Sequence, residues 1–399
     1  MSLSAFYSPN TNAHSNAREA VEGASHVPWE CRILVFAATC IFIGITWDIS
    51  WHQTIGRDTF WTPAHMVIYV GGALAGLCGG WRVLDHTFRN REEARHRLVR
   101  IWGFYGSIGS WVAIWGSLAM LISAPFDNWW HNAYGLDVMI LSPPHTLLAA
   151  GMHHIVVGAL LMVVSLQNRS RDGGTSTGRS LFLYAGGVML ALAAIILTEF
   201  SFANQQRTAT FYSASALLYP VLLVSMARAS PHRFAATITA LVYTGLKLAT
   251  IWILPLFPAT PMLAPIYTPL TSMVPPTFPL LLVVPALGVD LVFGGLGKGV
   301  SLRRALVTGL LAATVFLGLF VVTQWYFSQF LISPAADNWF FAGNRNWSYN
   351  TPQGDWRTRY WRLDRDPVTW VSMGRAWMWA WFSTTIGLVW GFWMSRVKR

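Results

Sequence analysis

Charge is what this sequence has least of. Only 11% of its 399 residues are Asp, Glu, Lys or Arg, against about 25% in soluble domains. That scarcity excludes a disordered chain, a nucleic-acid binder with a solvated basic face, and an ordinary cytosolic enzyme. Cysteine is nearly missing too. Cys31, Cys40 and Cys78 stand alone in or beside apolar runs and form no C-x-x-C pair, so neither a disulfide framework nor a thiolate metal site is indicated. The first 30 residues are polar and lack the basic, apolar and small-residue succession of a signal peptide.

What is present points to lipid. Apolar residues make up 54% of the chain, tryptophans number 22, and the mean hydropathy is positive. Runs long enough to cross a bilayer, about 17–25 residues, fall near 32–52, 61–83, 101–123, 144–166, 181–200, 208–227, 234–254, 277–297, 303–326 and 374–395. The expected fold is all-α, a polytopic integral membrane bundle of about ten transmembrane helices.

The basic residues orient it. The +11 net charge gathers after every second span, in the runs Arg82–Arg100, Arg169–Arg179, Arg228–Arg233, Lys298–Arg304 and Arg396–Arg399; with Arg18 and Arg32 these account for 19 of 28 Lys and Arg. The short loops opposite hold only Arg57 and Arg207. By the positive-inside rule both termini are cytoplasmic. The outer segment 327–373 carries five arginines, but segments of that length are weakly governed by the rule. A prokaryotic inner membrane is the expected location.

Two outward connections repeat one plan. Asp48 and His52 are four apart, on one face of a helical end, and Thr62-Pro63-Ala-His65 reads as a helix cap with histidine in the first turn. Asp127 and His131 repeat the first spacing, and Ser142-Pro143-Pro144-His145 repeats the cap. Each set brings a carboxylate and two imidazoles to one membrane depth. Imidazole and carboxylate without thiolate suit Cu(II), Zn(II), non-haem Fe(II) or Ni(II). Asp58, Asn128 and Asp137 are nearby partners for the ligands' outer atoms. The blander reading is that His and Trp gather at membrane interfaces, where amphipathic rings are stable; the duplication of the whole arrangement favours metal.

The segment 48–65 resembles the metal-binding stretch of the C subunit of copper membrane monooxygenases, the particulate methane and ammonia monooxygenase family. That pattern runs Asp, Trp-His, Thr, Arg-Asp-Thr, Thr-Pro-x-His. Here it stands as Asp48, Trp51-His52, Thr54, Arg57-Asp58-Thr59 and Thr62-Pro63-x-His65, ten defined positions in eighteen. The family's later stretch, Asn-x-Trp-x-His and then Pro-x-His, is similar to Asp127-x-Trp129-x-His131 and Pro143-Pro144-His145, with aspartate in place of asparagine. The resemblance covers about residues 30–166. It implies copper as cofactor, one site from Asp48, His52 and His65, and an adjacent second site using Asp127 and His131, with His65 open to sharing and His145 close by. It also implies that these positions are where oxygen is activated, with Arg57 and Asp58 orienting ligands.

The remainder reads as a second block. Residues 1–170 form the C-subunit-like domain, 171–180 a Gly/Ser/Thr-rich linker, and 181–399 a second transmembrane domain whose layout is similar to the A subunit of the same oxygenases. Lys247 and Asp290, ionisable groups inside spans, are expected to pair, because intramembrane charge is costly alone. Ser333–Trp339 echoes Ser123–Trp129 without a following histidine and reads as an outer cap; His153 and His154 read as core residues.

The expected function is therefore a copper-dependent membrane monooxygenase, or a subunit of one, oxidising a small molecule such as a hydrocarbon or ammonia with dioxygen. The competing class is a copper-binding carrier, transporter or sensor. The expected partners are the lipid bilayer, a cupredoxin-like B-type subunit on a separate chain, and a homo- or hetero-oligomer, trimeric by the resemblance. Nucleic acid is not expected.

Overall fold

A computed structural model describes residues 27–56, 61–89, 98–135, 142–169, 176–294, 302–361 and 363–398. Arg57, Asp58 and Asp137 lie outside the described residues. Ten helices are described: α1 Trp29–Thr54, α2 Pro63–Phe88, α3 Ile108–Tyr134, α4 Pro143–Arg169, α5 Ser176–Ile196, α6 Ala209–Ala229, α7 Ala235–Ile253, α8 Val283–Phe293, α9 Leu302–Leu331 and α10 Trp370–Met394. Eight of them, all but α8 and α10, are long and apolar enough to cross a membrane, the architecture of a multi-pass membrane protein.

The third span starts later than its apolar run. Residues 101–106 belong to a small antiparallel hairpin, Val99–Ile101 paired with Phe104–Gly106. Its turn uses positive φ at Trp102 and Gly103. Ser107 then caps α3 by accepting from the Ser110 N–H at 3.1 Å. The helix continues through Pro125 to Tyr134, so Asp127 and His131 sit on its last turns rather than in a loop.

The eighth span is broken. Helix α8 has 11 residues, roughly 16 Å of helix against a hydrocarbon core of about 30 Å. The preceding stretch has no regular structure and is largely buried. Pro275, Pro276 and Pro279 explain why: they lack N–H donors and resist helix. Side chains serve several of its backbone donors. Val274 N–H donates to Thr54 Oγ1 at 2.8 Å, Leu280 N–H to Tyr243 Oη at 3.1 Å, and Leu281 N–H to Gln324 Oε1 at 2.9 Å. Irregular backbone at membrane depth survives only when enclosed in protein in this way. The last helix, α10, has 25 residues, six of them tryptophan, a residue that favours the membrane interface.

Asp290 and Lys247 do not pair. The Asp290 carboxylate accepts from Ala236 N–H, Thr237 N–H and Thr237 Oγ1 at 3.1, 2.7 and 2.7 Å, capping the positive end of α7. Lys247 lies eleven residues further along that helix, about 16 Å away.

Helix pairs α1–α2 and α3–α4 meet along glycines. A Cβ at Gly44 would stand 2.6 Å from Ile68 Cγ1, and one at Gly71 would stand 2.7 Å from the Ala37 carbonyl. Across α3 and α4, Gly116 and Gly151 each approach the other's carbonyl so closely that an added Cβ would lie 2.7 Å from it. Small residues permit such backbone contact in membrane helices. Helix α5 packs on α1 and α4 and also on α7, and one apolar core runs from Leu34 and Ile155 through Phe182 to Tyr219 and Phe320. The stretch 171–180 is partly helix, since α5 begins at Ser176.

Candidate metal centres

Each glycine-seamed pair ends in one Asp–His–His cluster. In the first, Asp48 and His52 occupy the final turns of α1. Thr62 caps α2, its Oγ1 accepting from the His65 N–H at 3.2 Å, which sets His65 in the first turn. In the second, Asp127 and His131 end α3, and Ser142 Oγ accepts from the His145 N–H at 3.4 Å at the start of α4. Consecutive antiparallel helices place both clusters at the same end of the bundle.

The distances are those of converging ligands. Asp48 Oδ1 lies 3.1 Å from His65 Nε2 and 3.7 Å from His52 Nε2. Asp127 Oδ1 lies 3.1 Å from His131 Nε2 and 3.2 Å from His145 Nε2. Within each trio, one donor atom per residue lies within 4.8 Å of the others. Two donors bound tetrahedrally at 2.0–2.1 Å from one ion stand roughly 3.3 Å apart. Asp48 Oδ1 is also buried and accepts no hydrogen bond of good geometry, despite two imidazoles facing it. The donor set therefore fits a borderline divalent ion, copper included. His145 completes the second trio.

The surroundings differ. His131 is 5% exposed and its Nδ1 donates to the Gly135 carbonyl at 3.1 Å, which turns Nε2 toward the cluster. Gly135 makes that reach from a backbone with φ of 92°. Phe126, Trp129, Trp130 and Tyr134 pack as an aromatic group beside it. In the first cluster neither histidine is buried: His52 is 39% and His65 20% exposed, against 5% for His131 and 36% for His145. Its α1 end is instead tied to the second half of the chain. Ser50 Oγ donates to the Val274 carbonyl at 2.6 Å, Met262 N–H donates to Ile55 O, and Tyr349 N–H donates to Gln53 O, both at 2.9 Å.

Asn128 is exposed on α3 and belongs to neither trio. His153 and His154 turn their Nδ1 atoms to the carbonyls of Ala149 and Ala150 on their own helix; His154 is exposed, contrary to its reading as a core residue. The segment around Ser333 contributes an Asp337–Arg345 pair at 3.2 Å and no ligand. Tyr69 was not singled out by sequence. It lies one turn beyond His65 on α2, where the charges of both Asp48 and Asp127 reach its hydroxyl. The i, i+4 step from His65 was the available signal.

Comparison with known proteins adds no relative: no family model, no curated protein and no solved structure matches the chain.

Proposed function

We propose that the chain is a copper-dependent membrane monooxygenase, or a subunit of one, acting on a small apolar or weakly polar molecule. The observation that carries this reading is the pair of Asp–His–His trios at one end of the bundle, each with its donors converging on a single point. Copper held by Asp48, His52 and His65, and by Asp127, His131 and His145, supplies the redox chemistry with dioxygen. The chain's own residues do the rest. Each carboxylate offsets the cation's charge where water is scarce. The Gly135 carbonyl fixes the His131 tautomer. The aromatic group of Phe126, Trp129, Trp130 and Tyr134 thins water around the second trio and offers an apolar approach for substrate.

In this reading the protein sits in a prokaryotic inner membrane and crosses it ten times, the eighth time through the broken span and the tenth through α10. Both termini are cytoplasmic and both trios face outward. A cupredoxin-like subunit on a separate chain is the natural partner, by the resemblance of residues 48–65. A carrier, transporter or sensor of copper is the competing reading, and it lacks support from a path of ligands leading away from the trios among the described residues.

Metal content of the purified protein, with paramagnetic resonance of the oxidised state, tests the proposal. Copper bound at both trios, with about half lost in His65→Ala, is the expected result. Copper below about half an equivalent, unchanged by His65→Ala, sinks every copper reading. If copper is bound, oxygen-dependent product from a small hydrocarbon or from ammonia separates oxygenase from carrier.

A further inference from the structure

A second kind of site lies on the opposite face of the same helix end. Thr46 and Ser50 flank Asp48 by two residues on either side, which turns them away from the metal trio. They line a cavity of about 20 Å³ together with Gln53, Lys247, Thr277 and Asn346. Lys247 is 7% exposed. Its ammonium makes no hydrogen bond or ion pair with the described residues, and no charged neighbour acts on it. Thr46 Oγ1 is buried there without a hydrogen-bond partner as well.

This arrangement is incomplete as it stands. Burying an ammonium costs several kcal/mol unless a counter-charge and acceptors meet it, and an ionisable group inside a membrane span marks a functional site by default. The residue that sequence offered as its counter-ion, Asp290, is committed to the end of α7. Among the described residues, what lines the cavity with the ammonium is the hydroxyls of Thr46 and Thr277 and the amides of Gln53 and Asn346, which can turn donors inward, and no carboxylate; the Ser50 hydroxyl is spent on the Val274 carbonyl. The wall at 276–277 belongs to the irregular half of the broken span, where the chain gives up helix. Room for one water-sized particle needs about 10–15 Å³, so the cavity admits a monatomic ion and little more.

We infer that Lys247 and the hydroxyl and amide groups around it form a binding site for a small monovalent anion of halide size. The site joins three parts of the molecule: the outer turns of α1, the middle of α7, and the outer segment that carries Asn346. An anion held there pins the back of the turn whose front presents Asp48 and His52. The inference stands independently of which metal, if any, the trios bind.

The test uses the full chain in lipid nanodiscs, titrated with chloride or bromide against gluconate at constant ionic strength. Thermal unfolding should show a saturable rise in Tm, roughly 3 °C at a hundredfold excess over the midpoint, with chloride and bromide but not with gluconate. Lys247→Met should abolish the halide response. Thr46→Val, a milder change, should shift the midpoint upward several-fold, and it serves if Lys247→Met does not fold. Anomalous scattering from bromide-soaked crystals should place one ion within hydrogen-bond reach of Lys247 Nζ. Equal responses to gluconate and halide, or a halide response unchanged in Lys247→Met or in Thr46→Val, overturns the assignment.

Discussion

The two trios share ligand types, spacing and caps, yet they are supported in opposite ways. The second is built from within. A buried His131, locked through Nδ1 to Gly135, holds Asp127 Oδ1 at 3.1 Å while His145 stands at 3.2 Å. The first is built from without. His52 is 39% exposed and 3.7 Å from Asp48, and the turn that carries it is held by Val274, Met262 and Tyr349 of the second half. Local support predicts a preset site. Borrowed support predicts one whose geometry follows the segments of the second half that hold it.

The sharpest way to break this comparison is to remove one histidine from each. His131→Ala should lower metal affinity at the second trio by more than about 100-fold, beyond the 10–100-fold typical of losing a supporting partner. His52→Ala should cost less, because His52 is 39% exposed and stands 3.7 Å from Asp48, the loosest of the four Asp–His contacts. Isothermal titration of each variant with copper reads both; equal losses would erase the distinction. Asp127→Asn keeps the shape and removes the charge, and should weaken the second trio less than His131→Ala does, since the amide oxygen can still ligate, while leaving the first unchanged. A comparable loss at the first trio would mean the two are one coupled centre.

Two further changes sharpen the contrast from the scaffold side. Gly151→Val pushes a side chain into the Gly116 carbonyl and should destabilise the protein by about 1–3 kcal/mol. It should also disturb the second trio more than the first, as paramagnetic resonance of copper-loaded protein would show. Gly80→Ala, where nothing lies within 4 Å, is the control and should be neutral or slightly stabilising. Smallest of all, Tyr69→Phe should change both copper signals slightly and together, since the hydroxyl lies in the field of both carboxylates. A change confined to one signal would deny Tyr69 its position between them.

Much of the site was legible because its signals are local. Thr62-Pro63 and Ser142-Pro143 fix where α2 and α4 begin, and a cap followed by histidine at the third helical position leaves little freedom in where that ring goes. The D-x3-H spacing needed only that α1 and α3 stay helical to their ends. The misses were those that depend on partners. Polar residues around Pro125 and Asp127 read as the end of a span, whereas α3 carries on to Tyr134. The proline-rich run before α8 read as a full apolar crossing, because hydropathy does not register missing N–H groups. Lys247 and Asp290 were matched by charge alone, although Asp290 was already committed to the nearest helix end. Which of His65 and His145 completes the second trio depends on how α2 and α4 sit beside α3, and no single-sequence pattern carries that.

The glycine seams bear on how the molecule responds to the bilayer around it. Membranes of different thickness tilt helices or stretch the lipid around them, and a site spread over loosely packed helices would open or shear as they moved. Here each cluster draws on the two helices of one seamed pair, whose backbones touch at Gly44 and Gly71 or at Gly116 and Gly151. Each pair should therefore lean as a single blade, changing the depth of its cluster in the membrane while the spacing of its ligands stays fixed.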